Sequence, residues 1–148
     1  MSPDWPDYAC AIIPAPDPGR IWLEERPATA RFAPGLWTCF GGRRERGETP
    51  EQCLRRELDE ELNWAPRTMA KQVELWVEGQ PIAWFFLVEP APSATELQPR
   101  GSPARDVALG DLARQPVSPW HRAVLLAWQA GRERVDYSPG DPLQAVPS

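Results

Sequence analysis

Lysine and histidine are almost absent from this sequence. Lys71 is the only lysine and His121 the only histidine among 148 residues, so arginine supplies nearly all of the positive charge. Asp and Glu number 21 against 16 Lys and Arg, which gives a formal net charge of -5 at pH 7. A chain with this balance lacks the basic surface that binds a nucleic-acid backbone, so we expect no nucleic-acid partner.

Cysteine and long apolar runs are also scarce. Cys10, Cys39 and Cys53 are scattered without a CxxC spacing, and one histidine does not complete a zinc site. Their odd number argues against a disulfide framework and fits a reducing compartment. No segment approaches the roughly 20 apolar residues of a membrane helix, and the first residues lack the pattern of a signal peptide. We therefore expect a cytoplasmic protein with no membrane partner.

What remains is the composition of one globular domain. Apolar residues make up 42% and charged residues 25% of the chain. Its periodicities predict strands at 8–15, 20–26, 36–40, 72–78 and 81–89, and a second helix at 119–130 after Ser118. Residues 90–119 are rich in Pro, Ser and Gly and are expected to form a long loop, interrupted at 106–112. Residues 138–148 are expected to form a poorly ordered tail.

The strongest local signals define a first helix that follows Thr49. Thr49 and Gln52 form a Thr-x-x-Gln capping box, and Pro50 occupies the first helical position. Asn63 stands where a residue that tolerates left-handed geometry ends a helix. An apolar stripe that would face a core is formed by Leu54, Leu58 and Leu62.

Four carboxylates crowd this helix. Glu57, Glu60 and Glu61 fall within roughly 100° of helical arc, and Glu48 precedes the helix. Each like-charged pair costs about 0.2 to 0.5 kcal/mol in solvent but about 3 kcal/mol at 5.5 Å in a cleft with an effective dielectric near 20. The stripe is therefore either a solvated face or, in a pocket, the binding place of a cation, and hard divalent ions prefer such oxygen ligands.

The spacing of these residues resembles the Nudix box, GX5EX7REUXEEXGU, in which U is aliphatic. The matching positions are Gly42, Glu48, Arg56, Glu57, Leu58, Glu60 and Glu61. Asn63 replaces the glycine of the pattern and Trp64 its last aliphatic residue. Three further segments resemble the family: "ERP" (25–27), "GLW" (35–37) and "FGG" (40–42). Many members of the family have Phe-Pro-Gly-Gly in place of the third segment.

The resemblance implies an α/β fold, the Nudix-type α/β/α sandwich around a mixed β-sheet, as a single domain over residues 1–137. It implies hydrolysis of a nucleoside diphosphate linked to a moiety X, with Mg²⁺ or Mn²⁺ as cofactor. The implied metal ligands are Glu48, Glu57, Glu60 and Glu61. Glu57, Glu60 and Arg56 are the implied catalytic residues, with Arg56 forking onto a carboxylate of the box.

Other roles are less narrowly defined. Gly41, Gly42, Trp37 and Arg26 are the candidate substrate contacts, since the two glycines permit a close approach of the backbone. Trp37 is more often a core residue in a strand of this kind, and His121 is expected to have a structural or surface role. Glu57 is the first candidate for the general base. The alternatives are carboxylates of the long loop, namely Glu96, Asp106 and Asp111.

Several substrates and two other activities stay open. A (deoxy)nucleoside triphosphate fits a short chain best, followed by ADP-ribose or a nucleotide sugar, and then a dinucleoside polyphosphate. The main alternative is a sensor of the same fold that binds a nucleotide without cleaving it, and a diphosphate isomerase is the third class. The oligomeric state is also open, with a homodimer as one candidate that would bury some of the eight tryptophans.

Overall fold

The computed structural model of the chain describes residues 5–138. This range contains a mixed sheet of eight strands, two α-helices and one 3-10 helix. The strands are β1 (Tyr8–Pro14), β2 (Arg20–Glu25), β3 (Trp37–Thr38), β4 (Phe40–Arg43), β5 (Thr68–Val77), β6 (Gln80–Glu89), β7 (Ala104–Ala108) and β8 (Arg134–Tyr137). The helices are α1 (Pro50–Leu62), α2 (Pro119–Gln129) and the 3-10 helix Leu109–Arg114. Most of the predicted tail, residues 139–148, lies outside the described residues.

The sheet divides beside β1. Its first half pairs antiparallel with β4, from Tyr8 with Arg43 to Ala11 with Phe40, whereas its end pairs antiparallel with β2 through Ile13 and Pro14. On its other side β1 runs parallel to β6, and β5 and β8 follow. β2 also pairs with β3 and β7. The chain therefore changes its sheet partner between β3 and β4, next to the helix α1.

Two apolar layers cover the two faces of the sheet. One layer joins α1 to the sheet and contains Leu54, Leu58 and Phe86. The other joins α2 to the opposite face and contains Val124, Leu125 and Phe85. Neighbouring residues of one strand enter opposite layers, because side chains alternate along a strand. This is the predicted α/β/α sandwich, and the fold-class prediction is confirmed.

The first helix forms as its sequence signals predict. The Gln52 amide donates to Oγ1 of Thr49 at 3.1 Å, and the Thr49 amide donates to Oε1 of Gln52 at 2.9 Å, which completes the capping box. Asn63 ends the helix in the left-handed region at φ 49° and ψ 44°. α1 has 13 residues and α2 has 11, and neither of them nor the 3-10 helix of the described chain has the length and apolar content to span a membrane.

Other predicted elements need correction. The expected strand 36–40 is two short strands, because β3 pairs with β2 and β4 with β1. The expected loop 90–119 contains β7, which pairs with β2, and the 3-10 helix. β5 starts at Thr68 and not at residue 72. β8 has no predicted counterpart and is held by parallel pairing with β5. Ser118 precedes α2 but makes no side-chain cap.

Candidate functional site

Arg56 gathers the carboxylates of the acidic segment. Its Nε donates to Oε2 of Glu48 at 2.6 Å and its Nη2 to Oε1 at 3.0 Å, which is a bidentate pair. Its Nη1 donates to Oε1 of Glu57 at 2.9 Å. Glu60 and Glu45 contact the same nitrogen at 3.3 and 3.6 Å, but their side chains are 57% and 66% exposed. Arg56 thus orients mainly Glu48 and Glu57, which are 17% and 15% exposed.

The charges of this pair reinforce each other. Hydrogen bonds from Arg56 lower the pKa of Glu48 below its usual value and keep that carboxylate ionised. The hydrogen bonds that Arg56 donates to Glu48 and then to Glu57 raise the pKa of Arg56, which therefore remains positively charged. Two well-placed carboxylates on one guanidinium still leave an excess of negative charge.

Glu61 lies beside this excess and holds a proton at neutral pH as long as no cation is bound. Its Oε2 is buried and has no hydrogen-bond partner within residues 5–138. Burial raises the pKa of Glu61 well above its usual value, and the nearby charges of Glu24 and Glu57 raise it further. A hydrogen bond from the backbone of Gly41 acts in the opposite direction. In the absence of a cation, no positively charged side chain compensates a negative charge on the buried Glu61 carboxyl within residues 5–138.

This donor set fits a divalent cation in chemistry and in charge. Carboxylate oxygens are the ligands that Mg²⁺ and Mn²⁺ prefer, and a cation would satisfy the unpaired Oε2 of Glu61. Within residues 5–138, however, no three acidic, histidine or cysteine side chains already form a closed metal cage. Both oxygens of Glu48 accept from Arg56, whereas Glu57 receives Arg56 on one oxygen only. Glu57 and Glu61, together with the more exposed Glu60, are therefore the ligand candidates with an oxygen free of Arg56.

The two glycines of the "FGG" segment have separate structural reasons. Gly41 has φ +151° and pairs with Cys10, and a Cβ there would meet the carbonyl oxygen of Ala9 and lie 2.7 Å from Cα of Cys10. A Cβ on Gly42 would lie 2.5 and 2.6 Å from the two carboxylate oxygens of Glu57. Gly41 is required by the pairing of β1 with β4, and Gly42 by the position of Glu57.

One cavity lies against the acidic segment, and we call it the acidic cavity. It has a volume of about 250 Å³ and is lined by Glu24, Phe40, Glu60, Glu61, Arg100, Gly101 and Ser102. The backbone amide of Arg100 donates to the carbonyl of Glu61 at 3.0 Å, which ties this loop to the end of α1. Among the described residues, the exposed Arg100 guanidinium makes no hydrogen bond or ion pair. The lining of this cavity therefore combines carboxylates with an arginine side chain that has no ion-pair partner among the described residues.

A second cavity lies where the sheet divides, and we call it the apolar cavity. Its volume is about 210 Å³, and Phe85, Trp120 and Ile82 contribute apolar walls. Its polar lining includes Arg26 and His121. Nδ1 of His121 accepts the backbone amide of Cys39 at 3.0 Å, and its ring meets Phe85 edge-on at 5.3 Å. This combination of apolar walls and a few fixed polar groups is typical of a pocket for a small molecule.

The structure separates the predicted site residues into three groups. Arg26, Gly41 and Gly42 line the apolar cavity, Glu60 and Glu61 line the acidic one, and Arg56 joins Glu48 to Glu57. Trp37 lines neither cavity and packs against the core. The loop candidates for the base also line neither cavity: Glu96 bonds Ser93, Asp106 pairs with Arg20 at 2.6 Å, and Asp111 lies 3.6 Å from Arg114.

The sequence missed three residues of the cavities. Glu24 lines both cavities, Arg100 the acidic one and His121 the apolar one. Glu24 alternates with Ile21 and Leu23 along β2, a pattern that usually places the polar residue in solvent, but it is only 8% exposed. His121 gave no signal beyond its place in the first turn of α2, because its partner Cys39 is 82 positions away.

The burial of His121 predicts a specific dependence of stability on pH. Burial, and then the charge of Arg26, lower the pKa of His121 from 6.5 to about 4. Between these values the unfolded chain binds a proton that the folded chain does not, so stability falls as the pH drops from 6.5 to 4 and this contribution is constant outside that window. The full effect is up to about 3 kcal/mol.

The free energy of unfolding of the wild type and of His121→Gln, measured by urea unfolding in EDTA at pH 7.0, 5.5 and 4.5, tests this pH dependence. Glutamine can still accept the Cys39 amide but does not titrate. The wild type should lose more stability than the variant as the pH falls. If the free energy of unfolding fell equally in the two proteins as the pH is lowered, folding would not lower the pKa of His121.

Comparison with known proteins adds independent information. The NUDIX domain family model matches residues 5–128. An uncharacterized Nudix hydrolase of Nostoc sp. is 48% identical over 46 residues, which are 30% of this chain and 27% of that protein. The chain thus matches only about a quarter of this relative's length.

Similar solved structures share most of the fold. A MutT structure from work on Aliivibrio salmonicida and Vibrio cholerae has a TM-score of 0.68 and 25% identity, covering 83% of this chain and 95% of that chain. The ORF135 protein of E. coli has a TM-score of 0.64 and 29% identity, covering 83% and 87%. The MutT NUDIX hydrolase of Burkholderia pseudomallei has a TM-score of 0.65 and 25% identity, covering 80% and 94%.

Members of this family hydrolyse pyrophosphate bonds in small nucleotide substrates and generally use divalent cations. Since the family match extends over most of the described residues and the acidic segment has the spacing of the box, the chain belongs to the Nudix family, with MutT proteins among its structural neighbours.

Proposed function

We propose that the enzyme hydrolyses the pyrophosphate bond of a nucleoside diphosphate linked to a group X, with Mg²⁺ or Mn²⁺ as its cation. The observation that carries this proposal is the buried, unpaired oxygen of Glu61 beside Glu24 and Glu57, at the wall of the acidic cavity. A nucleoside triphosphate is the first candidate substrate, followed by ADP-ribose or a nucleotide sugar, and then a dinucleoside polyphosphate.

Glu57 and Glu61 would hold the cation, and Glu60 would contribute from its more exposed position. Glu48 would act indirectly, by accepting the hydrogen bonds that orient Arg56. When bound, the cation supplies positive charge that neutralises the diphosphate and polarises the bond to be broken. Arg56 fixes the Glu57 carboxylate by the hydrogen bond of 2.9 Å, so its orientation is set before substrate arrives.

Glu57 is also the first candidate to accept the proton of the attacking water. Glu57 itself lines neither cavity, but its carboxylate lies beside Glu61 of the acidic cavity and Gly42 of the apolar one. The three loop carboxylates considered from the sequence instead contact Ser93, Arg20 and Arg114. Arg100, which faces Glu60 and Glu61 without an ion pair, would contact a phosphate oxygen. The apolar cavity would receive the base between Phe85, Trp120 and His121.

Phosphate release from a nucleotide panel tests this function. The panel contains nucleoside triphosphates, ADP-ribose, nucleotide sugars and dinucleoside polyphosphates, each with Mg²⁺ or Mn²⁺. Glu57→Gln should lower kcat by about 10²- to 10⁴-fold, because a neutral amide neither accepts the proton nor holds the cation. Glu51→Gln, an exposed position in the first turn of the same helix, is the matched control and should keep wild-type activity.

Tight nucleotide binding by the wild type without any turnover would contradict the proposed hydrolysis and favour the sensor of the same fold. Equal activity of Glu57→Gln and the wild type would show that Glu57 has no role in the reaction.

Gly42→Ala tests whether the position of Glu57 matters. The added methyl group would overlap the Glu57 carboxylate and displace it, so kcat should fall at least about tenfold. Gly110→Ala is the control, because a Cβ there meets no atom within 4 Å. Both variants are compared by kcat and by thermal unfolding. Wild-type turnover by a folded Gly42→Ala variant would show that catalysis does not depend on this placement.

A further inference from the structure

Glu24 stands at the wall between the two cavities. It is the residue of β2 that pairs with Thr38 of β3, next to the point where the chain changes its sheet partner. It lines both the apolar and the acidic cavity, and only 8% of it is exposed. None of the roles proposed above uses this buried carboxylate.

The partners of Glu24 all reach the same oxygen. Nη1 of Arg26 donates to Oε1 at 3.3 Å, and Oγ1 of Thr38 donates to Oε1 at 3.4 Å. Within residues 5–138, no hydrogen bond reaches Oε2 of Glu24. This oxygen is therefore a free acceptor on a side chain that lines both cavities, where a donor of a bound ligand can reach it.

The charge on Glu24 decides which donor fits. Arg26 already compensates Glu24, since the two form an ion pair with side chains 28% and 10% exposed. Glu61 has no such arginine, and its buried oxygen is the better place for a cation. The donor that Glu24 needs is therefore neutral, and a hydroxyl group matches an oxygen that can only accept.

On the basis of the proposed function, the order of the cavities points to a hydroxyl of the sugar. With the base in the apolar cavity and the diphosphate in the acidic cavity, the sugar that joins them lies at Glu24. A carboxylate that accepts from ribose hydroxyls is established chemistry in dinucleotide sites on other folds. We propose that Oε2 of Glu24 accepts a hydrogen bond from the substrate's ribose 2′-hydroxyl, which makes the enzyme selective for ribonucleotides over 2′-deoxyribonucleotides.

Arg26 and Thr38 are positioning residues in this arrangement. They hold Oε1 and so direct the second oxygen of Glu24 toward the sugar. A 2′-deoxy substrate would cover that oxygen without giving it a donor, and sites built around a hydroxyl discriminate strongly against the analogue that lacks it. The expected selectivity is about 10- to 100-fold in kcat/KM.

The test compares each ribonucleotide that the wild type turns over with its 2′-deoxy counterpart. The wild type should prefer the ribonucleotide about 10- to 100-fold. Glu24→Gln and Glu24→Ala should reduce this ratio to within about threefold of unity, mainly through KM for the ribonucleotide. Glu25→Gln is the matched control, since Glu25 is the next residue and pairs with Arg105 at 2.7 Å. It should retain the wild-type ratio.

Binding of Mn²⁺ to the nucleotide-free protein, measured by electron paramagnetic resonance, tests whether Glu24 is a metal ligand instead of a sugar contact. Glu24→Gln should bind Mn²⁺ within about threefold of the wild type. If it loses Mn²⁺ binding and both substrates slow equally, Glu24 is a metal ligand and the inference is overturned.

An unchanged ribose preference in folded Glu24→Gln, or a wild type that uses both sugars equally, also overturns it, while the hydrolytic function stands. If the wild type hydrolyses no nucleotide of the panel, the proposed function itself fails.

Discussion

The site depends on a shortage of positive charge: the carboxylates around Arg56 outnumber the positive groups that could compensate them. One guanidinium donates hydrogen bonds to Glu48, Glu57 and Glu60, and Glu45 lies farther away at 3.6 Å. Glu61 is left with a buried oxygen that no group of the described chain satisfies. A protein tolerates such an arrangement when a cation completes it in the working state, because an uncompensated buried charge is costly.

The fold keeps these charges together by backbone geometry. α1 carries Arg56, Glu57 and Glu61 on a helix whose ends are fixed by the capping box and by Asn63. Gly42 lets the sheet approach the Glu57 carboxylate, and Gly41 lets β4 pair closely with β1. The division of the sheet beside β1 then opens a second, apolar cavity next to the acidic one. A ligand with an apolar end and a charged end matches this pair of cavities, as a nucleotide does.

Local signals were sufficient for the helix and its carboxylates. The cap at Thr49, the leucine stripe and the turn at Asn63 depend on residues within a few positions of each other, so their pattern is visible in the sequence. β7 and β8 were missed because short strands are defined by partners far along the chain, β2 and β5. For the same reason Glu24 looked solvent-facing. Trp22 donates to the carbonyl of Pro92, and that covering loop buries a strand face that alternation alone assigns to water.

Mn²⁺ titration of the wild type and of Glu61→Gln, by calorimetry with and without a non-hydrolysable nucleotide, measures whether the acidic segment binds a cation. We expect the wild type to take up the cation and Glu61→Gln to bind it at least about tenfold more weakly, since the variant lacks the uncompensated carboxylate. No uptake by the wild type under either condition, or equal uptake by the two proteins, would show that Glu61 does not hold a cation.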